Sequence, residues 1–194
     1  MKLESDVSNV HFGLLLFHHR TKITPYLLNQ HFKLLSMQKI ASAELLNEVI
    51  QKAKKSARGR INHNFHDDLV DPINRMLNAF EPGTYIQPHK HENPDKREVF
   101  ILLCGSLVVV FFDDSGTPTD FVLLDREEGS YAVEIPVRTW HSVFTLVSGT
   151  VVYEVKDGPY LPMKDKNFAI WAPNEGDSGC AEYLKNLTDQ YYNR

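Results

Sequence analysis

From Ile73 to Lys156 apolar and polar residues alternate with a period of two, in short runs closed by turn signals. Successive strand side chains point to opposite faces, so such a stretch suits half-buried strands and not a helix. The runs are Ile73–Phe80, Thr84–His91, Glu98–Phe112, Phe121–Leu124, Tyr131–Ile135, His141–Leu146 and Thr150–Lys156. Turn formers separate them, among them Glu81-Pro82-Gly83, Asp113-Asp114-Ser115-Gly116, Ser148-Gly149 and Asp157-Gly158-Pro159. Seven short strands at this spacing predict an all-β fold that closes on itself as a sandwich or barrel.

The rest of the chain frames that barrel. Ser42 is placed to cap a helix over 42–57, whose apolar positions Leu45, Leu46, Val49, Ile50 and Ala53 follow the helical period. Residues 1–36 hold four of the nine histidines and no periodic pattern, and Met37 stands just before the helix. The working protein is expected to begin near Met37, with 1–36 an extension of little stable structure; the alternative is an N-terminal arm packed on the domain. The domain is expected over 37–176, with the barrel at about 73–156 and a C-terminal tail over 177–194 that carries a short helix at Ala181–Asn186.

A chain of 194 residues, 42% hydrophobic and 24% charged, is long enough to bury one core. Its net charge is −4 with Lys and Arg scattered, which leaves no basic patch for nucleic acid or an anionic membrane. The apolar run Phe12-Gly13-Leu14-Leu15-Leu16-Phe17 ends at His18-His19-Arg20, too short for a span or a signal-peptide core. Two cysteines, Cys104 and Cys180, make no disulfide framework and read as reduced thiols, so a cytoplasmic protein is expected.

The chemistry concentrates in two segments. In Gly83-Thr84-Tyr85-Ile86-Gln87-Pro88-His89-Lys90-His91 the two histidines share one strand face and aim at one point. After a turn at Asn93-Pro94-Asp95 the chain returns with Glu98, and Gly105 follows six residues later. The second segment, Gly129 to His141 through Pro136, delivers a third imidazole from another strand. Three imidazoles and a carboxylate suit one divalent metal of the Fe, Mn, Ni, Co or Zn kind, with positions left for water or substrate. A lone His-x-His pair is more often two surface histidines; Glu98 and His141 tip the reading to ligands.

These segments resemble the two motifs of the cupins, a double-stranded β-helix or jelly-roll family of the RmlC-like kind. Two features depart from the pattern: the spacer between His91 and Glu98 is longer, and in the second motif the glycine two after Pro136 is Arg138 and the trailing asparagine is Thr145. A longer run of segments resembles the WbuC-type cupin fold metalloproteins of bacteria. It includes Arg60–His66, Asn74–Ile86, Glu134–His141, Glu154–Tyr160 and Phe168–Pro173, within roughly residues 38–176. The resemblance implies a metal at His89, His91, Glu98 and His141, and a setting in surface polysaccharide (O-antigen) biosynthesis. The implied function is to bind or act on a small sugar-like or oxo-acid ligand at that metal. The alternative is a non-catalytic binding or sensing module with a structural metal.

Around the ligands, Tyr85 and Gln87 alternate in phase with His89 and are expected to line the same cavity. Arg60, Asn64, Lys156 and Tyr160 can supply donors to an anionic or hydroxyl-rich ligand, each weighed against an ordinary ion-paired or exposed role. Tyr85 and His66 are the acid/base candidates if the protein is an isomerase/epimerase-like or dioxygenase-like enzyme. Arg75 and Asn78 alternate out of phase, so at least one faces away from the cavity. The strand from Glu98 reads as buried on both faces, its outer face covered by a second layer or by a homodimer partner.

Overall fold

A computed structural model describes residues 38–161 and 166–194; the expectations for 1–36 lie outside the described residues. A helix, α1 (Ala43–Lys55), comes first, with the Ser42 hydroxyl accepting from the Leu45 amide at 3.3 Å. Ten strands follow: β1 (Arg60–Asn64), β2 (Ile73–Phe80), β3 (His89–Lys90), β4 (Glu98–Cys104), β5 (Ser106–Phe112), β6 (Pro118–Asp125), β7 (Ala132–Ile135), β8 (Trp140–Thr145), β9 (Thr150–Asp157) and β10 (Asn167–Phe168). A second helix, α2 (Cys180–Tyr192), closes the described chain.

The strands form two antiparallel five-stranded sheets, ordered β1-β2-β9-β4-β7 and β10-β3-β8-β5-β6. Phe80, Phe100, Leu102 and Val152 from the first sheet pack with Leu107, Val109, Leu124 and Val143 from the second. The sheets therefore face each other across one apolar core. Along the inner face the residue type changes with position. Val152 gives way to Glu154 and Lys156 on β9, Leu102 to Glu98 on β4, Phe80 to Asn78 and Asn74 on β2, and Val143 to His141 on β8. One end is thus sealed by apolar side chains, and the other opens as a polar cavity of about 440 Å³.

Helices cover part of each outer face. Val49 and Ala53 of α1 pack on Leu77, Ala79 and Val151, and Leu187 of α2 packs on Val108, Val110 and Phe144. The tail helix is longer than expected because its apolar positions meet a ready apolar sheet face.

Three sequence expectations are revised. The run Glu98–Phe112 is two strands in different sheets, with the crossing at Gly105. Gly105 has φ +80°, and a Cβ there would lie 2.6 Å from the Thr150 Cα, so only glycine fits the corner. The run Thr84–His91 pairs as strand only at His89–Lys90. Its carbonyls are met instead by side chains and a later segment: Arg60 donates to Tyr85 O at 2.9 Å, Ser142 to Ile86 O at 2.6 Å and the Ala169 amide to Pro88 O at 2.8 Å. Within this chain the outer face of β4 leaves Ile101 38% exposed, which bears only on cover by a layer of the same chain. Residues 60–64, which lie before the expected barrel at about 73–156, form an edge strand paired with β2.

Candidate metal centre

His89 on β3 and His141 on β8 are direct cross-strand partners, which places their rings 4.4 Å apart, centroid to centroid. His91 follows β3 on the same face, and Glu98 opens β4 from the facing sheet. The four ligand atoms lie within 4.8 Å of one another, and all four residues are buried. Among the described residues this is the one cluster of metal-binding type.

Hydrogen bonds set the tautomers. His89 Nδ1 donates to Gln87 O at 3.0 Å and His141 Nδ1 to Thr139 O at 2.9 Å, so both rings turn Nε2 inward. Glu98 Oε2 stands 3.2 Å from His91 Nε2 and 3.1 Å from His141 Nε2, while His89 Nε2 is buried with no partner. Lone pairs converging at this distance repel unless a proton or a metal ion sits among them. The donor set fits a divalent metal: borderline nitrogens, a hard carboxylate and one orphaned buried acceptor.

Electrostatics agree with that fit. Burial, with Lys166 and His141 nearby, holds the His89 imidazole well below its ordinary value, so the ring is neutral and able to ligate. Burial pushes the Glu98 carboxyl up, but the bonds from His141 and His91 outweigh it and hold the group well below the usual range. Glu98 is an anion.

The motif's departures are accommodated by the loops. The long spacer before Glu98 is anchored by Arg97, whose guanidinium reaches Asp157 at 2.9 and 3.1 Å, and by Lys96, whose Nζ donates to Pro159 O at 2.5 Å. Arg138 takes φ +60°, the conformation that favours the missing glycine. Its side chain bonds Asp95 at 2.8 Å and its amide bonds His91 O at 3.1 Å, tying the turn before His141 to the loop after His91.

The other singled-out residues divide. Arg60, Asn64, His66, Gln87, Lys156 and Tyr160 line the cavity. Arg60 is also paired with Glu175 at 2.6 Å, Gln87 donates to Ala169 O at 3.0 Å, and Asn64 accepts from Asn62 at 2.8 Å. His66 Nδ1 lies 3.1 Å from the Arg75 amide nitrogen and 3.0 Å from its carbonyl oxygen. Tyr85 goes elsewhere: its hydroxyl donates to Pro173 O at 2.7 Å, and burial, with Cys180 beside it, pushes its pKa far up. Arg75 pairs with Asp71 at 2.5 Å, and Asn78 is the one of that pair that lines the cavity.

Glu154 was missed. It is buried on the inner face of β9, accepts from Asn78 Nδ2, and lies 3.5 Å from Lys156 Nζ. Burial and the nearby Glu98 charge raise its pKa. Its parity with Lys156 on one strand was the available signal, since residues two apart share a face.

No helix among the described residues is long and apolar enough to cross a membrane. A family described as a domain of unknown function (DUF6016) matches residues 41–124, which takes in His89, His91 and Glu98 and stops before His141. No curated protein matches the chain. Among solved structures, KdgF from Halomonas sp. is 17% identical with a TM-score of 0.41, over 54% of this chain and 82% of that one. A cupin superfamily protein from Desulfitobacterium hafniense is 12% identical with a TM-score of 0.40, over 50% and 76%. A salicylate 1,2-dioxygenase from Pseudoaminobacter salicylatoxidans in complex with gentisate is 12% identical with a TM-score of 0.47, over 63% and 36%.

Proposed function

We propose that this chain is a metal-binding cupin that takes a small oxygen-rich ligand, sugar-like or an oxo-acid, at one divalent metal. The observation that carries the reading is the buried, unpartnered His89 Nε2 facing the same point as His91, His141 and Glu98. His89, His91 and His141 would hold the metal through nitrogen and Glu98 through oxygen. Such a metal supplies Lewis acidity toward a bound oxygen. The chain's own residues do the rest: the Gln87 and Thr139 carbonyls fix two rings, and the 440 Å³ cavity, of the size that takes a small molecule, opens onto His89, Glu98 and His141. Lys156, buried and directly opposite Glu98 on β9, favours an anionic ligand. The ordered likeness of Arg60–His66 through Phe168–Pro173 to WbuC-type cupins supports a place in bacterial surface polysaccharide biosynthesis.

Thermal melting of chelator-stripped protein tests this. One equivalent of Mn(II), Co(II), Ni(II) or Zn(II) should raise Tm by about 5–10 °C, the shift expected when a ligand at about 100 times its Kd binds only the folded state. No response to any of them would overturn the reading.

A further inference from the structure

The metal centre occupies one end of the cavity; the wall running away from it carries amides. Asn78 on β2 and Asn62 and Asn64 on edge strand β1 all line the cavity, although the same sheet's inner face is apolar deeper in. Asn62 and Asn78 are cross-strand partners, so their side chains stand next to each other on one face. Asn62 Nδ2 donates to Asn64 Oδ1 at 2.8 Å, and Asn78 Nδ2 donates to Glu154. A primary amide has two donor hydrogens and an acceptor oxygen with two lone pairs, so each retains capacity on the cavity side.

An amide donates and accepts as a hydroxyl does. Adjacent amides therefore suit adjacent hydroxyls, and an apolar ligand would desolvate them without replacement. At the other end of the wall, Lys156 sits opposite Glu98 and presents a buried cation beside the metal ligands. The order β1-β2-β9-β4 puts three strand spacings, about 14 Å in all, between the asparagine strand and the Glu98 strand. A two- or three-carbon oxo-acid reaches one end only.

We infer that the ligand is a polyhydroxy carboxylic acid of sugar size, its carboxylate toward the metal centre and Lys156, its hydroxyls bonded by Asn62, Asn64 and Asn78. This rests on the metal reading above and narrows it to a substrate class. Open-chain aldonates and cyclic uronates share the required chemistry, and the test separates them.

Calorimetric titration of metal-loaded protein should use gluconate, galactonate, glucuronate and galacturonate, with glycolate and sorbitol as the truncated and uncharged probes. At least one sugar acid should bind tenfold or more tighter than glycolate and sorbitol, and whether it is an aldonate or a uronate names the source. The Asn62→Ala/Asn64→Ala variant, changed only at exposed positions, should lose tenfold or more of that affinity while keeping its glycolate affinity and metal content. One metal per chain with no sugar-acid preference, or a preference the double variant keeps, would overturn the inference and leave the metal reading intact. A preference undiminished in metal-free protein would overturn the placement of the carboxylate at the metal centre.

Discussion

His141 turns Nε2 toward Glu98: it stands 3.1 Å from Oε2 while Nδ1 is committed to the Thr139 carbonyl at 2.9 Å. Two lone pairs so placed, in a buried site, hold together only with a proton or a metal ion between them. The consequence for Glu98→Gln has a definite sign. The amide supplies a hydrogen to an imidazole lone pair, so the metal-free variant should melt at or above the metal-free parent. It should also lose most of the metal-induced rise. Because removing an outer partner of a metal ligand already weakens affinity about 10–100-fold, losing the carboxylate itself should cost at least that. A competition assay against a chromophoric chelator reads the affinity, and a variant that binds metal as the parent does would remove Glu98 from the ligand set.

Glu154 gives the pH dependence of the metal-free protein. Burial and Glu98 raise its pKa from 4.5 to about 8. Between those values the folded protein keeps a proton that the unfolded chain has released, so this contribution is full below 4.5 and falls as pH rises toward 8. Glu154→Gln, which stays neutral, should melt close to the parent near pH 5 and progressively above it toward pH 8.5. Parallel melting curves for the two proteins across that range would contradict the assignment.

At Arg138 two effects compete. Its φ of +60° costs a residue with a side chain about 1–2 kcal/mol, and its ion pair with Asp95 is exposed and worth under about 1 kcal/mol. Arg138→Gly should therefore be neutral to mildly stabilising in urea unfolding, and Arg138→Val, β-branched at positive φ, destabilising by about 2 kcal/mol.

Gly105 is the corner where the chain leaves one sheet for the other. Gly105→Ala meets Thr150 backbone at 2.6 Å as well as an unfavourable φ, so it should cost about 3 kcal/mol in chemical unfolding. Unchanged stability would mean that the corner is built differently.

The strands and the pairing of His89 with His91 were legible because both follow local rules. Period-two alternation marks the strands, and residues two apart share a face, which brings His89 and His91 together whatever the rest of the chain does. What escaped depended on partners far away in sequence. Glu98–Phe112 looks like one strand because Gly105 breaks it only in relation to Thr150, 45 positions on. Tyr85 shares the parity of His89, yet the irregular backbone before His89 turns its hydroxyl to Pro173. Glu154 is an ordinary strand glutamate until the register places it beside Asn78 and Lys156. The α2 helix needed the apolar outer face of β5 and β8 to define its length.

Three imidazoles and one carboxylate are proposed to hold one metal. Elemental analysis of untagged protein, beside His89→Ala and His141→Ala, tests it most directly. The expected result is close to one divalent transition metal per parent chain and less than about a tenth of that in either variant, with both variants still folded by circular dichroism. Equal metal content in all three proteins would contradict the claim.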